Sequence, residues 1–171
     1  CNISFEYLNA TPMYYANHIY MKDSNDNYYE VKEIEIPNTF TSIGNYQFYG
    51  FKNVTNVIIP SSVTSLGEGV FANCNSINNT YYDGTIEDWC NIEFGYEKSP
   101  IEYFKHFYLL DKTNQFYELT DIEIPDTVKK IGESAFKECS NLSEILIPNS
   151  VTSIGEQAFS KCKSLINISL P

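Results

Sequence analysis

Five cysteines, two histidines and several clustered carboxylates are the side chains of this 171-residue chain best able to do chemistry. No C-x-x-C pair occurs, which removes the commonest redox and zinc spacings. His18 and His106 each lack a cysteine or serine partner, which favours packing or capping over general-base work. Asp23-x-Asn25-x-Asn27 imitates the first half of a calcium loop. The central glycine is absent, however, and Ile34 falls where the acidic anchor would stand, so a hairpin tip is expected instead. Asp83, Glu87 and Asp88 cluster around Trp89, but paired-carboxylate catalysis needs a cleft between its two acids. No phosphate loop or nucleophile motif is present. The expectation is no catalytic residue, no metal ligand, no cofactor and no enzyme.

These residues sit in a repeat. Ile-Glu-Ile-Pro ends at Pro37 and at Pro125, Ile-Ile-Pro at Pro60, Ile-Leu-Ile-Pro at Pro148 and Ile-Ser-Leu-Pro at Pro171. Pro37 and Pro60 lie 23 residues apart, as do Pro125, Pro148 and Pro171 in turn. A fixed stride of this size predicts a stacked solenoid, each unit burying its apolar face against its neighbours. Leu142-x-x-Ile145-x-Ile147 ends with period two and predicts a short strand that Pro148 stops. Val151-x-x-Ile154 predicts a second short extended piece, with Gly155 permitting a bend. Residues 156–162 suit one helical or 3₁₀ turn with Phe159 pointing inward. Val151, Ile154, Phe159, Ile168 and Leu170 then stand with their counterparts in core columns.

The interval from Pro60 to Pro125 holds one regular unit and one of 42 residues. The extra residues must leave the stack and return, and alternation from His106 to Leu119 around Asp111 predicts a hairpin. Cys1-Asn2-Ile3-Ser4-Phe5 mirrors Cys90-Asn91-Ile92-Glu93-Phe94. Pro12, His18, Tyr20, Asp23, Tyr29 and Pro37 likewise mirror Pro100, His106, Tyr108, Asp111, Tyr117 and Pro125 at an offset of 88. The chain is nearly two copies of one cassette. The expected organisation is one repeat domain over 1–171. Its units are 1–37 (a partial long unit with a hairpin), 38–60, 61–83, 84–125 (long, with a hairpin), 126–148 and 149–171. Neither end carries a capping sequence and residue 1 is Cys, so a segment of a longer array is expected.

The slot occupied by Cys74, Cys139 and Cys162 is filled by Phe51 one unit earlier. A slot that accepts phenylalanine is an apolar column, where free cysteine behaves as a small hydrophobe. Reduced structural thiols are therefore expected, although Cys139 and Cys162 stack closely enough to approach each other.

The pattern Ile-Pro-x-Ser/Thr-Val-x-x-Ile-Gly-x-x-Ala-Phe-x-x-Cys-x-x-Leu-x-x-Ile resembles the BspA-like leucine-rich repeat. Residues 125–171 carry it almost unchanged, and 37–83 carry it with substitutions. Tyr81-Tyr82-Asp83-Gly84-Thr85-Ile86-Glu87-Asp88-Trp89-Cys90 resembles the variant unit of such arrays. The resemblance implies a curved, β-rich solenoid with short strands, short helical or 3₁₀ turns and two hairpin excursions. It further implies a surface or secreted protein of a bacterium or protist, and adhesion to host matrix proteins or other cells.

With 22 acidic against 11 basic side chains the net charge is −11. That excludes the basic footprint of a nucleic-acid or anionic-membrane surface. No run of 18 or more apolar residues is available to span a membrane, and no signal peptide opens this stretch. The expected partner is a protein, from the host matrix or another cell surface. Strand alternation turns Glu33, Glu35, Asn56, Ile58, Asn79, Tyr81, Asp121, Glu123, Glu144 and Leu146 outward in one row, continued by Asn167 and Ser169. Tyr81 is the leading anchor. The hairpin tyrosines Tyr20, Tyr28, Tyr108 and Tyr117 form a competing surface. A solvated face would carry the same pattern, so a structural spacer, or an accessory repeat domain of a larger surface enzyme, stands as the alternative.

Overall fold

The 23-residue stride is the register of a parallel β-ladder. The computed structural model describes residues 16, 18–95, 105–111 and 113–170. The expectations placed on Cys1 to Phe5, Pro12, Pro100 and Pro171 lie outside the described residues. In chain order the first strands are β1 (Tyr20–Lys22), β2 (Tyr28–Glu30), β3 (Glu33–Glu35), β4 (Ser42–Ile43), β5 (Asn56–Ile59), β6 (Ser65–Leu66) and β7 (Asn79–Tyr82). A five-residue helix α1 (Ile86–Cys90) follows, then β8 (Glu93–Phe94), β9 (His106–Leu110) and β10 (Phe116–Glu118). The last are β11 (Asp121–Glu123), β12 (Lys130–Ile131), β13 (Glu144–Leu146), β14 (Ser153–Ile154) and β15 (Asn167–Ser169). The chain is a β-solenoid of about six turns with little helix.

The Ile-x-Ile strands form two sheets, one in the order β10-β9-β7-β5-β3 and one in the order β11-β13-β15. Parallel register joins Glu33 to Asn56 to Asn79, and Asp121 to Glu144 to Asn167. The Val-x-x-Ile pieces make the second wall, as β4-β6-β8 and β12-β14. Four strands, β3, β5, β11 and β13, are stopped as expected: the carbonyls of Pro37, Pro60, Pro125 and Pro148 accept from the N–H three residues on, at 3.0 to 3.1 Å. Hydroxyls add rungs between units. Thr55 and Ser143 donate to the carbonyls of Lys32 and Thr120 on one wall, and Thr64 and Thr152 to those of Thr41 and Lys129 on the other.

Alternation buries Ile34, Val57 and Phe107 in one column and Ile59, Tyr82 and Leu109 in the next. The phenylalanine slot stacks ring on ring, Phe48 over Phe71 at 5.4 Å and Phe136 over Phe159 at 5.5 Å, both within 7° of parallel. In the final unit the equivalent positions Ile154, Ile168 and Leu170 are exposed rather than in the core, since only a following unit covers such a column.

The segment expected to form a helical or 3₁₀ turn makes the i→i+3 bonds of one, for example Ala158 to Gly155 and Cys162 to Phe159. Left-handed residues interrupt it at two slots per unit, Tyr46 and Gly50, Gly69 and Asn73, Ser134 and Glu138, Gln157 and Lys161. A continuous helix is thereby prevented. Gly155 opens that turn and also serves close stacking: a Cβ there would lie 2.4 Å from the backbone nitrogen of Glu133.

The long unit departs most. Thr85 caps α1 in a reciprocal box with Asp88, so Ile86-x-x-Trp89 is helical where Val63-x-x-Leu66 is extended. Trp89 is buried among Tyr82, Phe107 and Phe94, and its indole N–H donates to the Ala135 carbonyl at 2.7 Å. The hairpin β9–β10 is antiparallel as expected, but β9 does not leave the stack. It pairs in parallel with β7, Tyr81 opposite Tyr108, and so separates β7 from β11.

Candidate functional site

The ten outward residues therefore occupy two sheets rather than one continuous row. Glu33, Glu35, Asn56, Ile58, Asn79 and Tyr81 stand on the first, and Asp121, Glu123, Glu144 and Leu146 on the second. All ten are exposed or half-buried beside fully buried neighbours such as Val57 and Ile145.

The first sheet carries two lines of different character. Along one, the Asn56 side-chain amide donates to Glu33 at 3.2 Å and that of Asn79 donates to Asn56 Oδ1 at 3.0 Å. This polar ladder spends its hydrogen bonds on itself. The other line runs Glu35, Ile58, Tyr81, Tyr108 by register. Tyr81 and Tyr108 stack at 4.8 Å with 21° between their planes, and Phe116 meets Tyr81 edge-on at 5.0 Å. Phe116 pairs with Leu110 across β9–β10, which places Leu110 on the same face. Ile58, Tyr81, Tyr108, Leu110 and Phe116 are a contiguous, partly accessible apolar patch. Burial raises the Tyr108 hydroxyl above its ordinary range, with Glu118 and Tyr81 adding to the effect.

Below the patch a side-chain clamp holds the hairpin. His106 Nδ1 lies 2.5 Å from Glu118 Oε1, and the Asn141 amide donates to the same oxygen at 2.7 Å and lies 3.0 Å from the ring nitrogen. The first cassette repeats it with His18, Glu30 and Asn53 at 2.5 and 2.6 Å. Lys32 joins there at 2.6 Å, and with His18 it holds the Glu30 carboxyl down at about 2. Both histidines thus serve structure. Glu118, Asn141, Phe116 and Leu110 were missed in sequence. The 88-residue offset that pairs His18 with His106 also pairs Glu30 with Glu118 and Asn53 with Asn141, and would have found the clamp.

The remaining candidates are engaged locally. Asp23 accepts from the backbone of Asn25 and Asn27 at the first hairpin tip, and Asp111 from Thr113 and Gln115 at the second. Those bonds lower both carboxyls. Asp83 accepts from the Ser61 N–H, Asp88 caps α1, and Glu87 accepts from the Thr127 hydroxyl at 2.8 Å. Among the described residues no three His, Cys, Asp or Glu side chains gather to hold a metal.

Cys74, Cys90, Cys139 and Cys162 are free thiols. Cys74 and Cys162 each donate to the carbonyl 26 residues earlier, Phe48 and Phe136, at 2.9 Å. Burial pushes the Cys74 and Cys90 thiols up to about 12 and Cys162 to about 11, and raises Cys139 as well. No helix of the described residues is long and apolar enough to cross a membrane.

Solved structures similar to this chain are leucine-rich repeat proteins of bacteria. A leucine rich cell surface protein from Faecalibacterium prausnitzii is 29% identical, covers 90% of this chain and 38% of its own, and superposes with a TM-score of 0.47. The T. pallidum Leucine Rich Repeat protein is 18% identical over 91% of this chain and 69% of its own, with a TM-score of 0.45. A leucine-rich repeat protein from Bacteroides ovatus is 20% identical over 91% and 52%, with a TM-score of 0.41. The chain spans well under half the length of the first of these. Among curated proteins none matches. The model of the BspA type Leucine rich repeat region matches six copies over residues 22–105 and 111–171, and with its stride, proline turns and phenylalanine and cysteine columns the chain belongs to that family.

Proposed function

We propose that the chain is one repeat domain acting as a non-catalytic protein-binding module of a cell-surface or secreted protein, with adhesion as its role. The observation that carries this reading is the contiguous patch of Ile58, Tyr81, Tyr108, Leu110 and Phe116 on the strand face. A spacer gains nothing from presenting partly accessible aromatic rings on a rigid sheet, whereas aromatic anchors dominate binding energetics. The surface location rests on family membership, and the partner is a matrix or cell-surface protein.

Capture of purified matrix proteins and of whole cells by the immobilised chain tests the reading, with Tyr81→Ala and Glu123→Lys alongside. Tyr81→Ala is expected to weaken capture by about tenfold or more. Equal capture by both variants and the parent discards the strand face. No capture by the parent leaves the spacer.

A further inference from the structure

The outward faces of both Ile-x-Ile sheets carry one sign of charge, and Glu33, Glu35 and Glu118 share the sheet of the aromatic patch. Outward positions of the two Ile-x-Ile sheets carry Glu33, Glu35, Glu118, Asp121, Glu123 and Glu144, and neither lysine nor arginine stands at any of them. Glu35, Glu123 and Glu144 form no ion pair among the described residues. All eleven basic residues of the chain are lysine, so no arginine of its own can reach the face.

Resting on the protein-binding reading, we propose that this face takes an extended, arginine-bearing segment of the partner protein, laid across the strands. One guanidinium packs against the Tyr81–Tyr108–Phe116 ring cluster, and a second pairs with Glu35. The geometry suits that chemistry. Glu35 and Tyr81 stand on the same line two strands apart, roughly 10 Å at the usual strand spacing, and an extended segment covers that in about three residues. The inner faces of Tyr81 and Tyr108 cover each other, so a cation meets an outer face of the pair, where a guanidinium, weakly hydrated and flat, packs better than a lysine ammonium. The carboxylates of the same sheet draw the segment in and disfavour acidic partners.

The test uses the 171-residue protein and labelled octapeptides alternating serine with arginine, lysine or glutamate, read by fluorescence anisotropy, with a neutral hexasaccharide as competitor. The arginine peptide is expected to bind about tenfold more tightly than the lysine peptide, and the glutamate peptide not at all. Tyr81→Ala and Tyr81→Leu are expected to erase the preference for arginine, the leucine variant keeping the side-chain bulk. Glu35→Gln is expected to weaken binding severalfold and flatten its salt dependence. Equal binding of the arginine and lysine peptides, indifferent to both Tyr81 variants, would overturn the proposal in favour of diffuse charge. Binding of the hexasaccharide but not of the arginine peptide would overturn it in favour of a glycan platform. If arginine peptides fail while capture of matrix proteins still depends on Tyr81, the module binds protein by other chemistry and only this inference falls.

Discussion

The hairpins β1–β2 and β9–β10 lie 88 residues apart, close on matching side chains and part company at their neighbours. Both tips fold around an aspartate that accepts two backbone N–H groups, and both stems are held by a His–Glu–Asn clamp. Yet among the described residues β1–β2 is a sheet of two, while β9 is a member of a sheet of five. Leu109 is buried and its counterpart Met21 is 53% exposed, while Phe116 is 40% exposed and its counterpart Tyr28 71%. Local sequence makes the hairpin, and the adjoining strand decides whether its residues become core or surface.

The largest test of that contrast is truncation. Leu109→Ala should cost about 2–5 kcal/mol and Phe107→Ala about 3–5 kcal/mol, read as loss of urea-unfolding stability. Met21→Ala, at the equivalent place, should stay within about 0.5 kcal/mol. Equal losses would mean that the first hairpin is packed in solution as the second is. A smaller effect separates the outer faces. Phe116→Ala should cost about 1 kcal/mol through its edge contact with Tyr81, and a double-mutant cycle with Tyr81→Ala should recover that coupling. Tyr28→Ala should do almost nothing.

The smallest effect is in pH. Glu30 titrates at about 2 when folded against 4.5 ordinarily, so it binds protons less readily in the native state. Its stabilisation of the first hairpin is complete above about pH 4.5 and is lost as pH falls toward about 2. Protection factors of the β1–β2 amides, corrected for the intrinsic exchange rate, should fall over that window, and Glu30→Gln should reduce the change to the part that Asp23 contributes at the tip.

Repetition explains what was legible. Columns such as Phe48 over Phe71 and Cys139 beside Cys162 repeat one residue in one slot, so a one-dimensional count finds them. The partner of Tyr81 is different. The repeat template aligns Tyr81 with Glu123, 42 residues on, because β11 runs into Ile124-Pro125 as a regular strand does, but β9 reaches β7 first and puts Tyr108 there. Choice of partner between two competent strands is settled by packing, with Phe107 and Leu109 filling columns begun by Val57 and Ile59. The clamp escaped notice because its members lie 12 and 35 residues apart, with no local spacing to betray them. The apolar anchor Tyr81 was visible as a residue, and its aromatic company was not.

The buried thiols have a bearing on oxidative chemistry. A thiol raised to about 12 presents almost no thiolate at neutral pH, so Cys74 and Cys90 are poor nucleophiles for disulfide exchange while the stack is closed. Among the described thiols Cys162, half-buried and raised only to about 11, meets an alkylating reagent first. The order in which the thiols are modified therefore reads out the order in which the solenoid opens. The molecule carries its own gauge of fraying, one that needs no added probe.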